Sequence, residues 1–333
     1  MKIKLIHTYK DIISLENLIC AWGQFLVGKK SKPDVEKFGM YLMDNIIALQ
    51  ISLANKTYVH GGYYSFNITD PKPRHIHKAS VQDRLLHHAV YRLTYPFFDR
   101  TFIADSYSCR LGKGTHRAMK RFEQMAASVS KNHTRTCYVL KCDIRKFFAS
   151  IDHEILSAIL KEYIPDQDSM WLFENIIGSF RTNPERAIGL PLGNLTSQLL
   201  GNVYMNVFDQ WMKHSLKQKN YIRYADDFVF FHHDKKYLES LIPQIGEFLS
   251  RKLRLTLHPD KLCIKTVASG VDFLGWVHFT DHRILRRTTK KRMFLKIQKN
   301  PEEDTVQSYL GLLQYGNTFK LQQSVLNDYW LWQ

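Results

Sequence analysis

The spacing of apolar residues divides the chain before any chemistry is considered. Near the N-terminus Leu42, Ile46, Leu49 and Leu53 recur at helical spacing until the polar pair Asn55-Lys56, so residues 1–55 read as mostly helical. A Gly61-Gly62 turn, a β-like piece from Tyr63 to Ile68 and the loop Asp70-Pro71-Lys72-Pro73-Arg74 follow. Residues 80–98 read as a helix that stops near Pro96. Residues 137–144 form a β-rich run in which Asp143 shares a face with Lys141 and Val139. A helix is predicted from Asp152 as its N-cap, with Ile155, Leu156, Ile159 and Leu160 inward. Residues 196–218 predict a long helix. Its two apolar rows, Leu199-Val203-Val207-Trp211 and Leu200-Tyr204-Phe208-Met212, make a face so wide that it implies deep burial. Residues 221–231 are two β-rich arms around Ala225-Asp226-Asp227, a hairpin that presents an acidic tip. A helix over about 237–252, a β-like piece from Val271 to Phe279, and a final helix from Asp304 with Gln307 closing a capping box complete the pattern.

Composition narrows the classes of function. Apolar residues make up 44% of the 333, enough for about two cores and too many for a disordered chain. No apolar run is long enough to span a membrane, and Met1 to His7 lacks the apolar stretch of a signal peptide. The five cysteines never form CxxC, which fits a reducing cytosol and argues against a disulfide framework or a zinc finger. The net charge of +16 points to a polyanion. Residues 281–300 hold eight cations against Asp281 alone, nearly half of that excess, and a domain boundary is placed near 280.

Three carboxylates stand where a core would refuse a charge. Asp143 ends an apolar strand, and Asp226 and Asp227 sit between two more. Brought together, such groups repel unless a cation neutralises them, and their oxygens suit magnesium with substrate phosphates. An Asp-Asp pair alone is equally an ordinary turn, and only a fold can join it to Asp143.

The motifs resemble those of reverse transcriptases. Tyr224-Ala225-Asp226-Asp227 looks like the YxDD box. Asp143-Ile144-Arg145-Lys146-Phe147-Phe148, with Ser150-Ile151-Asp152-His153, is similar to the first catalytic box of the group II intron-like branch. Asp83-Arg84 and Ser106-Tyr107-Ser108-Cys109-Arg110 resemble its fingers motifs, and Phe273-Leu274-Gly275-Trp276 its primer-grip hairpin, all in the family's order. The resemblance implies an α+β right-hand polymerase fold: fingers, an antiparallel palm sheet backed by helices, and a small helical thumb. It divides the chain into an N-terminal extension (1–55), fingers (56–136, with part of 153–190), palm (137–279) and thumb (280–333).

It also implies roles. Asp143, Asp226 and Asp227, with the carbonyl of Ile144, would hold two Mg2+ ions, and dNTPs would be the substrates. Lys261 matches a lysine proposed to protonate pyrophosphate, or is a surface lysine. Phe148 matches the steric gate, or packs in the core. Lys72 and Arg74 match cations that hold the triphosphate, or belong to a solvated loop. Phe273, Leu274 and Gly275 would grip the primer. Arg286, Arg287, Lys290, Lys291 and Arg292 would meet nucleic-acid phosphates, or form a solvated face.

One box departs from the common pattern. In Gly189-Leu190-Pro191-Leu192-Gly193-Asn194-Leu195-Thr196-Ser197-Gln198, Leu192 stands where most relatives have Gln, and Gln198 where they have Pro. This form resembles the reverse transcriptases of diversity-generating retroelements, which copy a template RNA with errors at adenines. Leu192, Gly193 and Gln198 would then lie at the incoming nucleotide. The resemblance implies template RNA and a cDNA primer as partners, with a small basic ring-forming accessory variability protein. It implies no membrane, and a cytoplasmic enzyme of bacterial, archaeal or phage origin. A retron or defence-type enzyme, a group II intron-type enzyme, and an inactive polymerase fold that only holds RNA are the alternatives.

Overall fold

The computed structural model describes residues 3–69, 73–299 and 302–332. Helices alternate with antiparallel sheets, an α+β chain. It divides into two compact units: Met1–Ala104 with Ile144–Lys217 and Gly246–Leu257, and Asp105–Asp143 with Gln218–Ile245 and His258–Gln333.

The first unit is mainly helical. Helix Leu15–Phe25 packs on helix Val81–Asp99, and Leu42–Ala54 buries Ile46, Leu49 and Leu53, the predicted stripe. Helix Val81–Asp99 matches the expected 80–98 to within a residue at each end and carries Pro96 in its last turn. Proline removes a single ladder bond, which the last turn of a buried helix tolerates. The strands β1 (Tyr63–Ile68) and β2 (Arg74–Ala79) form a hairpin with Tyr63 opposite Ala79 and Ile68 opposite Arg74. Asp83 anchors its approach: Tyr58 Oη and Ser80 Oγ donate to its carboxylate at 2.6 and 2.7 Å, and Gly61 N at 3.2 Å. Arg84 pairs with Asp34 at 2.5 Å. Helix His153–Lys161 is capped as predicted, Asp152 accepting from Ile155 N at 3.1 Å. Helix Leu195–Gln210 is buried almost all round. It ends at Gln210, eight residues before the expected 218, in a π turn over Trp211–Ser215 where Trp211 stacks on Phe248 with centroids 4.2 Å apart.

The second unit holds two sheets. Four strands, β3 (Tyr138–Asp143), β4 (Tyr221–Tyr224), β5 (Asp227–His232) and β6 (Cys263–Thr266), lie in the order β4-β5-β3-β6, all antiparallel. Helix Thr115–Val129 covers one face, and Phe122, Met125 and Val129 join Val139, Ile222, Val229 and Phe231 in one core. The strands β7 (Val271–Phe273), β8 (Trp276–His278) and β9 (Arg283–Leu285) form the second sheet. Leu274 and Gly275 link β7 to β8 with φ of +51° and +88°, the left-handed pair that a two-residue hairpin turn requires.

Three helices end the chain, Arg287–Lys299, Glu303–Leu313 and Phe319–Trp332, where one final helix was expected. Trp276, Met293, Ile297, Val306, Leu313 and Val325 close their core. The capping box at Asp304 does not form, because the N-cap lies two residues earlier, at Glu302, which makes no side-chain cap bond among the described residues. Asp304 instead lies in the first turn, where the helix dipole favours a carboxylate.

Candidate active site

The sheet of the second unit carries its own gradient from oil to charge. Side chains two apart share a face, so β3 presents Val139, Lys141 and Asp143 in succession. Their register partners on β5 are Phe231, Val229 and Asp227. Helix Thr115–Val129 seals the apolar part, with Phe122 against Phe231 at a centroid distance of 4.8 Å. Beyond it the last pair on that face is two carboxylates, Asp143 opposite Asp227. Tyr224 pairs with Asp227, leaving Ala225-Asp226 as the two-residue tip of the β4–β5 hairpin. A fold has thus brought together the three carboxylates that the sequence singled out.

The tip is strained and held from below. Ala225 has φ of +56°, a conformation that costs a non-glycine residue on the order of 1–3 kcal/mol. Arg223, fully buried, donates to Ala225 O and to Ser106 Oγ, each at 3.1 Å. Ser106 bridges Arg223 through the backbone, and Tyr107 N donates to Arg223 O at 3.0 Å. The Ser106–Arg110 motif therefore braces the acidic turn. Sequence reading missed Arg223, although an arginine inside an apolar strand is itself a signal of a buried partner.

Charge at the site is unbalanced. Burial pushes the Asp227 carboxyl up to about 6, the charge of Lys141 opposes this, and Asp143 and Asp226 add to it. Lys261, in the short turn Pro259–Lys261, donates Nζ to both oxygens of Asp143 at 2.8 and 2.9 Å. His258 N fixes the same residue by its carbonyl at 2.7 Å. Among the described residues no three metal-binding side chains are grouped tightly enough to enclose an ion. Two facing carboxylates, one of them raised chiefly by burial, suit magnesium, which takes one or two carboxylates plus waters and substrate phosphates. Asp143 and Asp227 are the side chains that would hold it. Lys261 supplies positive charge to Asp143 in this structure. Ile144 is buried directly after Asp143 in the chain.

The residues expected at the nucleotide form a separate group in the first unit. Phe148 lies in the short helix Phe147–Ser150, half-buried, while Phe147 is buried. A Cβ on Gly201 would meet the two rings at 3.2 and 3.3 Å, so glycine lets the long helix approach them. The loop after Gly189 joins this helix to β2. Gly189 N donates to Ile151 O at 2.7 Å, Leu190 N to Phe148 O at 2.8 Å, and His77 N to Leu192 O at 3.0 Å. Gly193 has φ of +104°, and a Cβ there would press on Ile76. Asn194, which sequence reading passed over, donates Nδ2 to His77 O at 2.8 Å instead of capping its helix, and its buried Oδ1 has no hydrogen-bond partner among the described residues. Gln198 is exposed one turn into that helix, and Arg74 is exposed at the start of β2. Lys72 lies outside the described residues.

The remaining predicted residues are in the second unit. Phe273 is buried, and Leu274-Gly275 form the hairpin turn, whose Gly275 O accepts from Arg286 N at 3.1 Å. Arg286 is paired with Asp272. Arg287, Lys290 and Lys291 are exposed on helix Arg287–Lys299, and Arg292 is half-buried.

With this geometry in view, the comparisons with known proteins converge. Residues 69–278 match the reverse transcriptase (RNA-dependent DNA polymerase) family model. Protein YkfC of Escherichia coli strain K12 is 25% identical over 263 residues, 67% of this chain and 66% of that protein. The COX1/OXI3 intron 2 protein of Saccharomyces cerevisiae is 20% identical over 280 residues, covering 65% of this chain and 30% of its own length. A 91 kDa protein in the cob intron of Schizosaccharomyces pombe is 22% identical over 230 residues, 65% and 27% respectively. The chain spans just under two thirds of the first relative and under one third of the two intron proteins. The family match covers well over half of the chain and runs from just before β2 to the end of β8: the chain belongs to the reverse transcriptase (RNA-dependent DNA polymerase) family.

Proposed function

We propose that the chain is an RNA-directed DNA polymerase that extends a primer along an RNA template with dNTPs. One observation carries this: Asp143 and Asp227 stand opposite each other on one sheet face, with Asp226 at the adjoining tip. Magnesium bound there would supply Lewis acidity, favouring an ionised 3′-hydroxyl and neutralising the leaving pyrophosphate. The protein's part is positional. Asp143 and Asp227 fix the charge, Arg223 holds the tip, and Lys261 offsets Asp143 until phosphates arrive. In this reading residues 1–55 are an extension, 56–136 fingers, 137–279 palm and 280–333 thumb. Arg74 and Lys72 meet the triphosphate, Phe148 screens the sugar, and residues 273–275 grip the primer.

Leu192 and Gln198 support a finer reading, the error-prone enzyme of a diversity-generating retroelement with a basic accessory protein. A glutamine at position 192 could donate and accept hydrogen bonds; leucine does neither. Losing that contact would loosen checking of the nascent base pair.

Purified protein with Mg2+, dNTPs and a primed RNA should make cDNA, and Asp226→Ala should not. Extension by that variant at the parent rate would refute the assignment. Sequencing the cDNA should show excess misincorporation at template adenines, reduced in Leu192→Gln. An unchanged adenine error rate in that variant would sink the role given to Leu192.

A further inference from the structure

The aspartates occupy one end of the four-stranded sheet; the opposite end has a concentration of its own. A cavity of about 360 Å3 opens where β3 begins and β6 ends. Its lining includes Thr134, Thr136, Thr266 and Thr280, with His133 and Arg135, and none of its lining residues is a carboxylate; the Thr134 hydroxyl donates to Lys131 O at 2.8 Å, and the Thr266 hydroxyl accepts from Ser269 N at 3.1 Å. Strand register places it: Tyr138 is opposite His232 on one side and Thr266 on the other, and Val267 N donates to Cys137 O at 2.9 Å. Five residues of β3 separate it from Asp143, roughly 17 Å at the rise of a strand.

The loop that forms its wall is held in a costly shape. Lys131, Asn132 and His133 have φ of +50°, +54° and +67°, three successive non-glycine residues in the left-handed region. Asn132 N donates to Ala127 O at 2.8 Å, Arg135 N to Ser130 O at 3.0 Å, and Arg135 Nε to Val129 O at 2.7 Å. The guanidinium is thus anchored by Nε. Among the described residues neither Lys131 nor Arg135 pairs with a carboxylate, and both are exposed. Slight desolvation and the charges of Arg135, His232 and Lys131 hold the His233 imidazole below its ordinary value, against Asp234, so these cations lie within electrostatic reach of one another. The neighbouring acids are engaged: Asp281 contacts His282 Nδ1 at 2.8 Å, and Asp234 accepts from Lys236 N at 2.9 Å.

We propose that this cavity and its basic rim form a second phosphate-binding site, one that takes the phosphodiester backbone of RNA away from the catalytic aspartates. The assignment of RNA rests on the polymerase reading; the anion chemistry does not. Hydroxyls and a guanidinium anchored at one nitrogen are the donors that phosphate oxygens accept from. The site would hold the RNA being copied while synthesis proceeds at the other end of the sheet.

The test measures binding, not synthesis. Full-length protein carrying Asp226→Ala is titrated with a labelled single-stranded RNA over a range of salt. Adding Lys131→Ala and Arg135→Gln should weaken binding and flatten the log-affinity against log-salt slope by roughly 1.4, two single-strand phosphate contacts. Lys131→Glu alone, which leaves the Arg135 anchor intact, should weaken binding while the melting temperature stays at the parent value. In the otherwise unchanged enzyme the double variant should extend a short primer–template at the parent rate. Unchanged affinity and slope would overturn the proposal. So would loss of labelled ATP binding with RNA binding intact, which would make the site one for a free nucleotide. Failure of the parent enzyme to extend any primer would count against the polymerase reading and leave the slope measurement standing.

Discussion

At the scale of single residues, the site sets chemistry against stability. Asp227 is raised to about 6 by burial and by its acidic neighbours. A carboxyl whose folded value is raised contributes stability fully present below its unfolded value near 3.8 and lost as pH rises through about 6. In chelator, Asp227→Asn should therefore be more stable than the parent at pH 7.5, by about 3 kcal/mol. The gap should close toward pH 4, and thermal melts across pH check it. A variant no more stable at pH 7.5 would show that the carboxylate is not strained. Asn194 makes a second case. Its bond to His77 O is worth about 1 kcal/mol. Asn194→Ala should lower hydrogen-exchange protection at His77 N. Asn194→Ser restores a favourable N-cap and some global stability, yet should leave His77 as unprotected as in the alanine variant.

At the scale of elements, charge in a segment and charge available to a ligand are different quantities. Residues 281–300 look uniformly basic, but Arg286 is paired with Asp272 and Arg283 with Glu123. Helix Arg287–Lys299 buries Met293 and Ile297 and leaves Arg287, Lys290 and Lys291 exposed. Replacing those three by alanine should reduce the salt slope of primer–template binding by roughly 2.7 for duplex contacts. Arg286→Ala should instead lower the melting temperature with little change in slope, because its partner is protein. Equal slopes for the triple variant and the parent would mark the helix as a solvated face.

At the scale of the whole molecule, binding and reaction separate. The excess of +16 draws nucleic acid to the chain without selecting a chemistry. Asp226→Ala should accordingly bind primed RNA within about threefold of the parent, since one charge among many changes the field little, while making no cDNA. A large loss of affinity would mean that Asp226 shapes the fold and not only the reaction.

From local spacing alone the amino-acid sequence indicated the strands near 63–68 and 137–144, the β4–β5 hairpin with its acidic tip, and the wide-faced helix that begins near 195; β2, β6 and β9 went unread, and that helix stops at Gln210 where 218 was expected. Those it indicated follow because burial of one face selects the element. It also showed Asp143, Asp226 and Asp227 as charges in apolar surroundings. Only tertiary structure decided that Asp143 faces Asp227, because antiparallel register is a long-range choice that no local spacing encodes. The same holds for Arg223 beneath Ala225, Lys261 on Asp143, Asn194 on His77 and Asp272 on Arg286. A charged side chain in a sequence announces that it needs a partner, and only the folded chain chooses which one.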